Sequence, residues 1–336
     1  IEKKNNFIFK SITIINNQKN FDCVNISGFK KLSGSQVSEE DISFILNDIK
    51  TLIVDNYSEK ILIHLFNSNF ILDNNNSSNL PIGLHGEFYC HHLTFFLLPK
   101  NDVKNIKLVL NKCDLEVERI ILKPFTDGIK KINSMDKIKN FTLINIGNTH
   151  SSISIFEKSS LLYSQTFSFG TDILLKDVEK ICSLEFIEVR KIFDEVCFDD
   201  LSNKNDNDFL DKKFFTSSKY RKISLTHLFD VIKARLNEIT DLIYSNNINL
   251  KYLKKDNKIV FLSIADSVII KNLSVSFKKK LTSGNIKILE DSTQFDESNS
   301  CIASAELVGR GWEKEAIPII HAKKSVISRI FTALFS

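Results

Sequence analysis

Residues 141–156 read FTLINIGNTHSSISIF, and this stretch decides which fold the chain can adopt. An apolar segment, a short turn of Asn, Gly and Thr, and a second apolar segment together predict a β-hairpin. Backbone N–H groups in such a turn can point at a phosphate group. The stretch therefore predicts either a phosphate-binding hairpin or an ordinary one, and the segments around it have to distinguish the two.

The residues after this hairpin predict a mixed α/β domain. SLLYSQTFSF (160–169) continues the pattern as the third strand of a meander. The strongest helical pattern covers 224–245, with one apolar face formed by Leu225, Leu228, Ile232, Leu236, Ile239 and Leu242. The other predicted elements are helices at 172–182, 185–195, near 267–280 and near 300–310, strands at 258–263 and 286–289, and a charged loop at 199–213.

The first third of the chain predicts a smaller α+β unit. The sequence from Ser38 to Asp41 resembles a capping box, and the apolar residues that follow it keep helical spacing as far as Ile53. The other predicted elements are strands at 7–16, 60–72, 87–98 and 116–123, a polar loop at 74–79, a turn at 81–86 and a helix at 102–113.

The composition excludes several classes of protein. Of 336 residues, 43% are hydrophobic and 26% are charged, as in a globular protein with a core of useful size rather than a disordered one. The net charge of +4 is too small to indicate a nucleic-acid partner. Glycine occurs only 10 times, which is too few for several Gly-rich phosphate loops.

Cysteine and histidine do not indicate a metal centre. The six cysteines form no C-x-x-C pair, so we expect reduced, buried thiols; they are Cys23, Cys90, Cys113, Cys182, Cys197 and Cys301. His91 and His92 are adjacent in a predicted strand and point to opposite faces. No nucleophile-elbow or P-loop motif occurs, so we predict no metal ligand and no catalytic residue.

Glu188 and Lys191 are spaced three residues apart in a predicted helix, so they share one face. Together they could hold a ribose and the edge of an adenine. The alternative is an ordinary solvated ion pair. The spacing alone does not decide between these two interpretations.

The last fifteen residues, AKKSVISRIFTALFS (322–336), predict a basic amphipathic helix behind a linker at 311–321. A helix here has an apolar stripe and basic flanks without an acid; the predicted membrane-binding residues are Lys323, Lys324, Val326, Ile327, Arg329, Ile330, Phe331, Leu334 and Phe335. The segment is too short to span a bilayer. It predicts either an interfacial membrane helix or a helix docked on its own domain or on another protein.

The order of these segments resembles the FtsA family of bacterial cell-division proteins, in the actin/Hsp70 superfamily. The resemblance runs from about residue 7 to the C-terminus. Besides the tail, the resemblance is seen in three stretches. They are PIGLHG (81–86), which resembles the family's P-x-G-L-x-G turn, NIKLVLNKCDLEVERIILKPFTDG (105–128), and VIKARLNEITDLI (231–243), which resembles a long family helix.

The resemblance implies an α/β, actin-like fold of two ribonuclease-H-like halves, with a small α+β subdomain inserted in the first half. The implied boundaries are the end of the first-half core sheet at 1–18, the inserted subdomain at 19–122, the return to the first-half core at 123–142, the second half at 143–310, the linker at 311–321 and the membrane-targeting helix at 322–336. The chain begins at Ile1, and the family's first phosphate motif implies further residues upstream.

The resemblance also implies ATP and Mg²⁺ as cofactors, at a degenerate site. Where the family has D-x-G-G-G-T-x-D, this chain reads NIGNTHSS (145–152), so both carboxylates and two of the three glycines are replaced. Where the family has T-G-G-x, it reads Ser263-Ile264-Ala265-Asp266. The implied nucleotide-binding residues are Asn145, Gly147, Asn148, Thr149, Gly170, Glu188, Lys191 and Ser263, with Asp177 also at a family position, and we expect no efficient hydrolysis.

The function implied by the resemblance is that of a membrane-anchored scaffold. It would tether FtsZ filaments to anionic lipids on the cytoplasmic face of the inner membrane at the division site, self-associate into filaments and recruit later division proteins. Its filament-binding surface would lie in the helices between 172 and 255. Two alternatives remain open, an active actin-like ATPase and a scaffold of type IV pilus assembly, which shares the fold.

Overall fold

The computed structural model describes residues 2–77, 79–135, 138–196, 208–250, 259–265, 287–290, 297–316 and 334. The chain divides into two compact units. Unit 1 comprises Ile1–Lys139, Phe156–Ser164 and Asp296–Ser336, and unit 2 comprises Asn140–Ile155 and Gln165–Phe295. Within the described ranges, no helix has the length and apolar character that crossing a membrane requires.

The larger part of unit 1 is an antiparallel sheet covered by a helix. Its strands are β2 (Asp22–Lys31), β3 (Lys60–Leu72), β4 (Asn75–Ser77) and β5 (Phe88–Pro99), in the order β2-β5-β3-β4. Helix α2 (Glu39–Asn56) begins at a capping box and buries its apolar side against this sheet. It approaches β2 so closely that a Cβ atom on Gly28 would lie 2.3 Å from Cγ2 of Ile45.

The remainder of unit 1 is a two-stranded parallel sheet with helices packed on it. Strands β1 (Ser11–Asn16) and β6 (Glu116–Leu122) form this sheet. The helices are α1 (Glu2–Asn5), α3 (Lys100–Asn111), α4 (Lys123–Ser134) and α8 (Glu297–Arg310). Helix α8 contacts α4 and β1 and therefore belongs to unit 1, whereas the sequence-based division placed residues up to 310 in the second half.

Residues 312–316, here called the strap, form an integral part of unit 1. The backbone N–H of Asn67 donates to the carbonyl of Lys314 at 2.9 Å, and that of Ala316 donates to the carbonyl of Leu65 at 2.7 Å. Ala316 is buried in the core beneath α2. The prediction of a linker at 311–321 is therefore wrong for the strap, because backbone hydrogen bonds and the buried side chain of Ala316 hold the strap on β3. Residues 317–321 lie outside the described residues.

A buried ionic cluster fixes the strap. Glu315 accepts a hydrogen bond from Nδ1 of His64 at 2.6 Å and a second from the guanidinium of Arg119 at 2.5 Å. The backbone N–H of Leu122 donates to Nε2 of His64, so this ring is the neutral Nδ1–H tautomer. Burial lowers the pKa of His64. Burial alone would raise the pKa of Glu315, but Arg119 and His64 outweigh it and lower that pKa.

Unit 2 is built on a five-stranded sheet in the order β11-β10-β7-β8-β9. Its strands are β7 (Phe141–Ile146), β8 (Ser151–Glu157), β9 (Ser160–Phe167), β10 (Ile259–Ile264) and β11 (Lys287–Glu290). Strands β7, β10 and β11 run parallel, so their carboxyl ends meet at one edge. The helices are α5 (Asp172–Cys182), α6 (Phe186–Glu195) and α7 (Leu225–Thr240), and α5 packs on both α6 and α7.

Most predicted elements are confirmed within two or three residues, but four details differ. Strand β2 was not predicted, since its residues lack a clear alternation, and β4 lies inside the predicted polar loop. The predicted strand 7–16 begins at Ser11, and the helix predicted to reach 245 ends at Thr240, where a π-helical turn continues to Ser245. The helix predicted near 267–280 lies outside the described residues.

Removing the carboxylate of Glu315 should destabilise unit 1. Glu315→Ala leaves the partly buried Arg119 without its counter-charge and the buried His64 without its acceptor, which is expected to cost about 3 kcal/mol of unfolding free energy, the lower end of the range for a buried pair. Glu313→Ala, at an exposed neighbouring position, is the control and should change the free energy by less than about 0.5 kcal/mol. Urea denaturation of the two variants measures this difference, and equal midpoints would contradict the role assigned to the cluster.

The buried His91 should make stability fall as the pH falls. Burial, with a smaller contribution from His92, lowers the pKa of His91 to about 3, so the unfolded chain takes up a proton near pH 6.5 that the folded chain does not. The linkage predicts a loss of about 2 kcal/mol between about pH 7 and pH 5. His91→Gln should remove this part of the slope of unfolding free energy against pH, whereas His227→Gln, at an exposed position, should not.

Candidate functional site

The turn between β7 and β8 forms the centre of the candidate site. The backbone N–H of Gly147 donates to the carbonyl of His150 at 2.8 Å, which closes the turn, and Oγ1 of Thr149 lies 2.6 Å from Nδ1 of His150. Asn148 and Thr149 are exposed at its tip. The hairpin predicted from the sequence is therefore present, with the turn at the carboxyl end of β7.

The N-terminus of α5 holds this turn in place. The backbone N–H of Thr171 donates to the carbonyl of Gly147, and that of Asp172 donates to the carbonyl of Asn148, both at 2.9 Å. Because the turn carbonyls face the helix, the turn N–H groups face away from it. Within the described chain, the N–H groups of Asn148 and Thr149 donate to no protein acceptor. The turn thus offers two free backbone donors at its tip.

Gly170 is required by the close approach of the turn to α5. A Cβ atom at this position would lie 2.2 Å from the carbonyl oxygen of Gly147 and 2.5 Å from that of Asn148. Contacts below 3 Å with backbone atoms cannot be relieved by rotating a side chain. The absence of a side chain at residue 170 is therefore what permits the two hydrogen bonds between turn and helix.

Three buried polar atoms without partners surround the same turn. Asn145 and Ser263 are register partners on the parallel strands β7 and β10, so their side chains lie side by side on one face of the sheet. Oδ1 of Asn145, Oγ of Ser263 and Oγ1 of Thr171 have no hydrogen-bond partner among the described residues. Ser263 is 1% exposed and Thr171 is fully buried. Buried polar atoms normally have partners, so this cluster indicates a ligand position.

Thr171 was not among the sequence-predicted site residues. A usable signal was present, since Gly170 and Thr171 stand between a predicted strand and a predicted helix, at the place where helix N-termini meet ligands. Local sequence patterns do not bring this position next to Asn145, because 25 residues separate them. The hydrogen bond from Thr171 to Gly147 makes that connection.

Glu188 has a structural role within unit 2. Its carboxylate accepts hydrogen bonds from the N–H groups of Glu185, Ser217 and Ser218 and from the hydroxyl of Ser218. Burial would raise the pKa of Glu188, but these four bonds lower it to about 2. They also fill all four lone-pair positions of the carboxylate. A ribose hydroxyl would have to displace one of them.

Lys191 and Asp177 likewise have protein partners. Nζ of Lys191 donates to the carbonyl of Lys213 at 2.9 Å and forms no ion pair with Glu188, and the nucleotide role of these two residues stays a prediction. Asp177 on α5 is paired with Arg235 on α7. These contacts join α5, α6, α7 and the Lys212–Phe214 segment. They are separate from the cluster around the turn.

The residues around the turn fit phosphate oxygens but not a divalent cation. Two free N–H groups and two buried hydroxyls are neutral groups that can donate hydrogen bonds to an anion, whereas the unpartnered atom of Asn145 is Oδ1, an acceptor, so its amide donates to an anion only when Oδ1 and Nδ2 exchange places. Magnesium in proteins is usually held by one or two carboxylates. Around the turn, in the described residues 145–150, 170–172 and 263–265, the acidic side chain is that of Asp172, which is half-exposed on the first turn of α5.

The predicted membrane-binding residues are described only at Leu334. This side chain is partly buried and packs against the core beneath α2 in unit 1. The other eight, Lys323, Lys324, Val326, Ile327, Arg329, Ile330, Phe331 and Phe335, lie outside the described residues.

Substitution of Gly170 should separate the turn from α5. Gly170→Ala is expected to destabilise unit 2 by about 3 kcal/mol, because the new methyl group overlaps two backbone carbonyls. Gly309→Ala is the matched control. It lies in α8 with nothing within 4 Å of the added Cβ atom, so it should be neutral or raise stability by up to about 1 kcal/mol. Thermal unfolding of both variants measures the difference, and equal melting temperatures would contradict it.

Comparison with known proteins places these features in a family context. No protein-family model matches the chain. The cell division protein FtsA of Buchnera aphidicola subsp. Schizaphis graminum is 24% identical over 250 residues, which cover 73% of this chain and 57% of that protein. FtsA of Buchnera aphidicola subsp. Acyrthosiphon pisum is 22% identical over 258 residues, covering 75% and 60%. The chain thus spans about three fifths of the length of the curated relatives that it matches.

The structural comparison identifies the fold. A chain of the PilM–PilN type IV pilus biogenesis complex aligns with a TM-score of 0.51 and 10% sequence identity, covering 91% of this chain and 79% of that one. At this identity the likeness concerns the fold and not the function. The chain therefore has an actin-like fold, and by sequence it is a divergent relative of the FtsA proteins.

Proposed function

We propose that the chain is an actin-like cell-division scaffold that tethers FtsZ filaments to the cytoplasmic face of the inner membrane at the division site. The observation that carries this proposal is the similarity to FtsA proteins over about three quarters of the chain. It extends across both units of the fold rather than over one local motif. The membrane, FtsZ and the later division proteins are the partners that this assignment adds.

The C-terminal sequence supports the membrane part of the proposal. Residues 322–336 contain three basic and no acidic side chains, together with six large apolar ones. Each large apolar side chain contributes about 1–1.5 kcal/mol on partial insertion, and each cation contributes about 1 kcal/mol near an anionic surface. The sum is sufficient for reversible binding at the lipid interface. The strap brings the chain to this segment from an anchored position at Ala316.

One observation favours a second arrangement of the tail. Leu334 packs against the apolar core beneath α2, as it would in a helix docked on its own domain. Docking and membrane binding use the same apolar side chains and therefore exclude each other at any one moment. The two arrangements predict different effects of the same substitution, so one experiment can distinguish them.

The exposed face of the β2–β5 sheet supports self-association. Phe29 on β2 is 74% exposed, and Phe88 lies on the neighbouring strand β5 on the same face and is 53% exposed. Strand β2 is also an edge strand with an unpaired side. Exposed apolar side chains on a sheet edge favour contact with another chain. We assign this face to filament formation, in keeping with the expected role of the inserted subdomain.

In this proposal the chain binds a nucleotide as a structural ligand and does not hydrolyse it rapidly. The turn at 147–150 keeps free N–H donors, but Asn145 replaces a carboxylate that could orient a metal ion or water. An efficient ATPase of this fold would need such a group. A pilus-assembly scaffold remains an outcome of the test below, because the fold likeness to the PilM–PilN complex is compatible with it.

Flotation with liposomes tests the proposal. The chain, purified FtsZ, GTP and anionic liposomes are mixed, with the intact chain in one sample and Phe331→Glu in another. We expect the intact chain to float together with FtsZ, and Phe331→Glu to reduce flotation at least tenfold, since it places a charge in the apolar stripe. Ile248→Glu, at an 84% exposed position in unit 2, is the control. In a sample that lacks FtsZ, it should float with the liposomes as the intact chain does.

Each other outcome has a distinct meaning. If neither protein floats and Phe331→Glu lowers the melting temperature, the tail is a docked helix and the tether proposal is wrong. If the intact chain floats and FtsZ stays behind, the chain is a membrane-bound scaffold for another partner. In that case the type IV pilus alternative gains support.

A further inference from the structure

We propose that the cluster around the turn at 147–150 binds the phosphate groups of a nucleotide without a divalent cation. This inference rests on the nucleotide site of the proposed function and specifies its chemistry. It is carried by the juxtaposition of free backbone donors at the turn with unpartnered, buried polar side chains on β7, β10 and α5. Among the described residues around the turn, the metal ion expected from the family resemblance has no matching set of ligands.

The unpartnered polar groups of the cluster lie around the turn. The N–H groups of Asn148 and Thr149 lie at the tip of the turn, because its carbonyls are bonded to α5. Thr171 lies behind the turn at the start of that helix, and its hydroxyl has no partner. Asn145 and Ser263 form the floor, side by side on adjacent parallel strands. Phosphate groups supply the acceptors that these backbone N–H groups and buried hydroxyls lack.

The burial of these groups is the second, independent observation for a ligand. The side chains of Thr171 and Ser263 are 0% and 1% exposed, yet their hydroxyl oxygens are unpaired in the described structure. Leaving a buried hydroxyl unpaired costs about 1–3 kcal/mol. A phosphate oxygen that accepted from either hydroxyl would recover this free energy. Carboxyl ends of parallel strands are also the usual position of ligands in α/β sheets.

The charges around the turn determine whether phosphate binding there needs a divalent cation. An aspartate at position 145 would repel phosphate unless a cation lay between them, whereas the amide of Asn145 carries no charge and can itself donate. The N-terminus of α5 adds a favourable positive potential. Asp172 is half-exposed, and its backbone N–H donates to the carbonyl of Asn148. Phosphate can therefore be bound directly, and the described residues 145–150, 170–172 and 263–265 contain no buried carboxylate that could hold a cation.

Isothermal titration with ADP tests this proposal on the full chain. ADP is titrated once in excess EDTA and once in saturating Mg²⁺, and the two dissociation constants are expected to agree within about threefold. Pyrophosphate should displace ADP, because the phosphate groups are what the cluster holds. ADP binding that requires Mg²⁺, or that pyrophosphate does not displace, would overturn the proposal.

The substitution Asn145→Asp should convert the site to one that depends on a cation. In EDTA its affinity for ADP should fall at least about tenfold, since a buried carboxylate faces the phosphate, and Mg²⁺ should restore it. Asn246→Asp makes the same charge change at an exposed position of unit 2 and should alter the affinity less than about twofold. Equal responses of the two variants would overturn the assignment, and unchanged melting temperatures in both verify that each variant is folded.

Failure of this inference is distinguishable from failure of the proposed function. A chain that binds no ADP under either condition overturns the phosphate site. The same preparation can still float with FtsZ and liposomes, in which case the scaffold proposal stands without a nucleotide. Conversely, cation-independent ADP binding by a chain that does not float supports the site and contradicts the tether.

Discussion

The candidate site depends on two hydrogen bonds between a turn and a helix. The N–H groups of Thr171 and Asp172 hold the carbonyls of Gly147 and Asn148, and only a residue without a side chain can stand at Gly170 between them. This contact directs the turn N–H groups outward and positions Thr171 behind the turn. The neighbouring strands then bring Asn145 and Ser263 beneath it. Each polar group of the cluster owes its place to that close approach.

Unit 1 has a comparable organising contact in the buried cluster of Glu315, His64 and Arg119. A carboxylate this deeply buried is tolerated because a guanidinium and an imidazole N–H both donate to it. The cluster fixes the strap on β3, where Ala316 is buried in the core of unit 1.

The unpartnered buried groups of the cluster are uncharged. They are the hydroxyls of Thr171 and Ser263 and Oδ1 of Asn145. Glu188 and Lys191, which the family resemblance implied as nucleotide ligands, hold neighbouring segments of unit 2 together.

The sequence by itself determined the elements and their order. Periodic apolar residues and turn residues identified helix α5, strand β3 and the hairpin at 141–156, because such patterns depend on neighbours within a few residues. Strand β2 was not predicted because its alternation of apolar and polar residues is weak. The strap was not predicted because its strand-like pairing depends on a partner about 250 residues away. The resemblance to FtsA also came from the sequence, through the order of its motifs. Only the tertiary structure decided that Thr171 completes the site, that Glu188 is saturated by protein donors and that Glu315 is buried on His64. These are long-range contacts, and local spacing contains no information about which distant group will satisfy a buried charge or leave a hydroxyl unpaired.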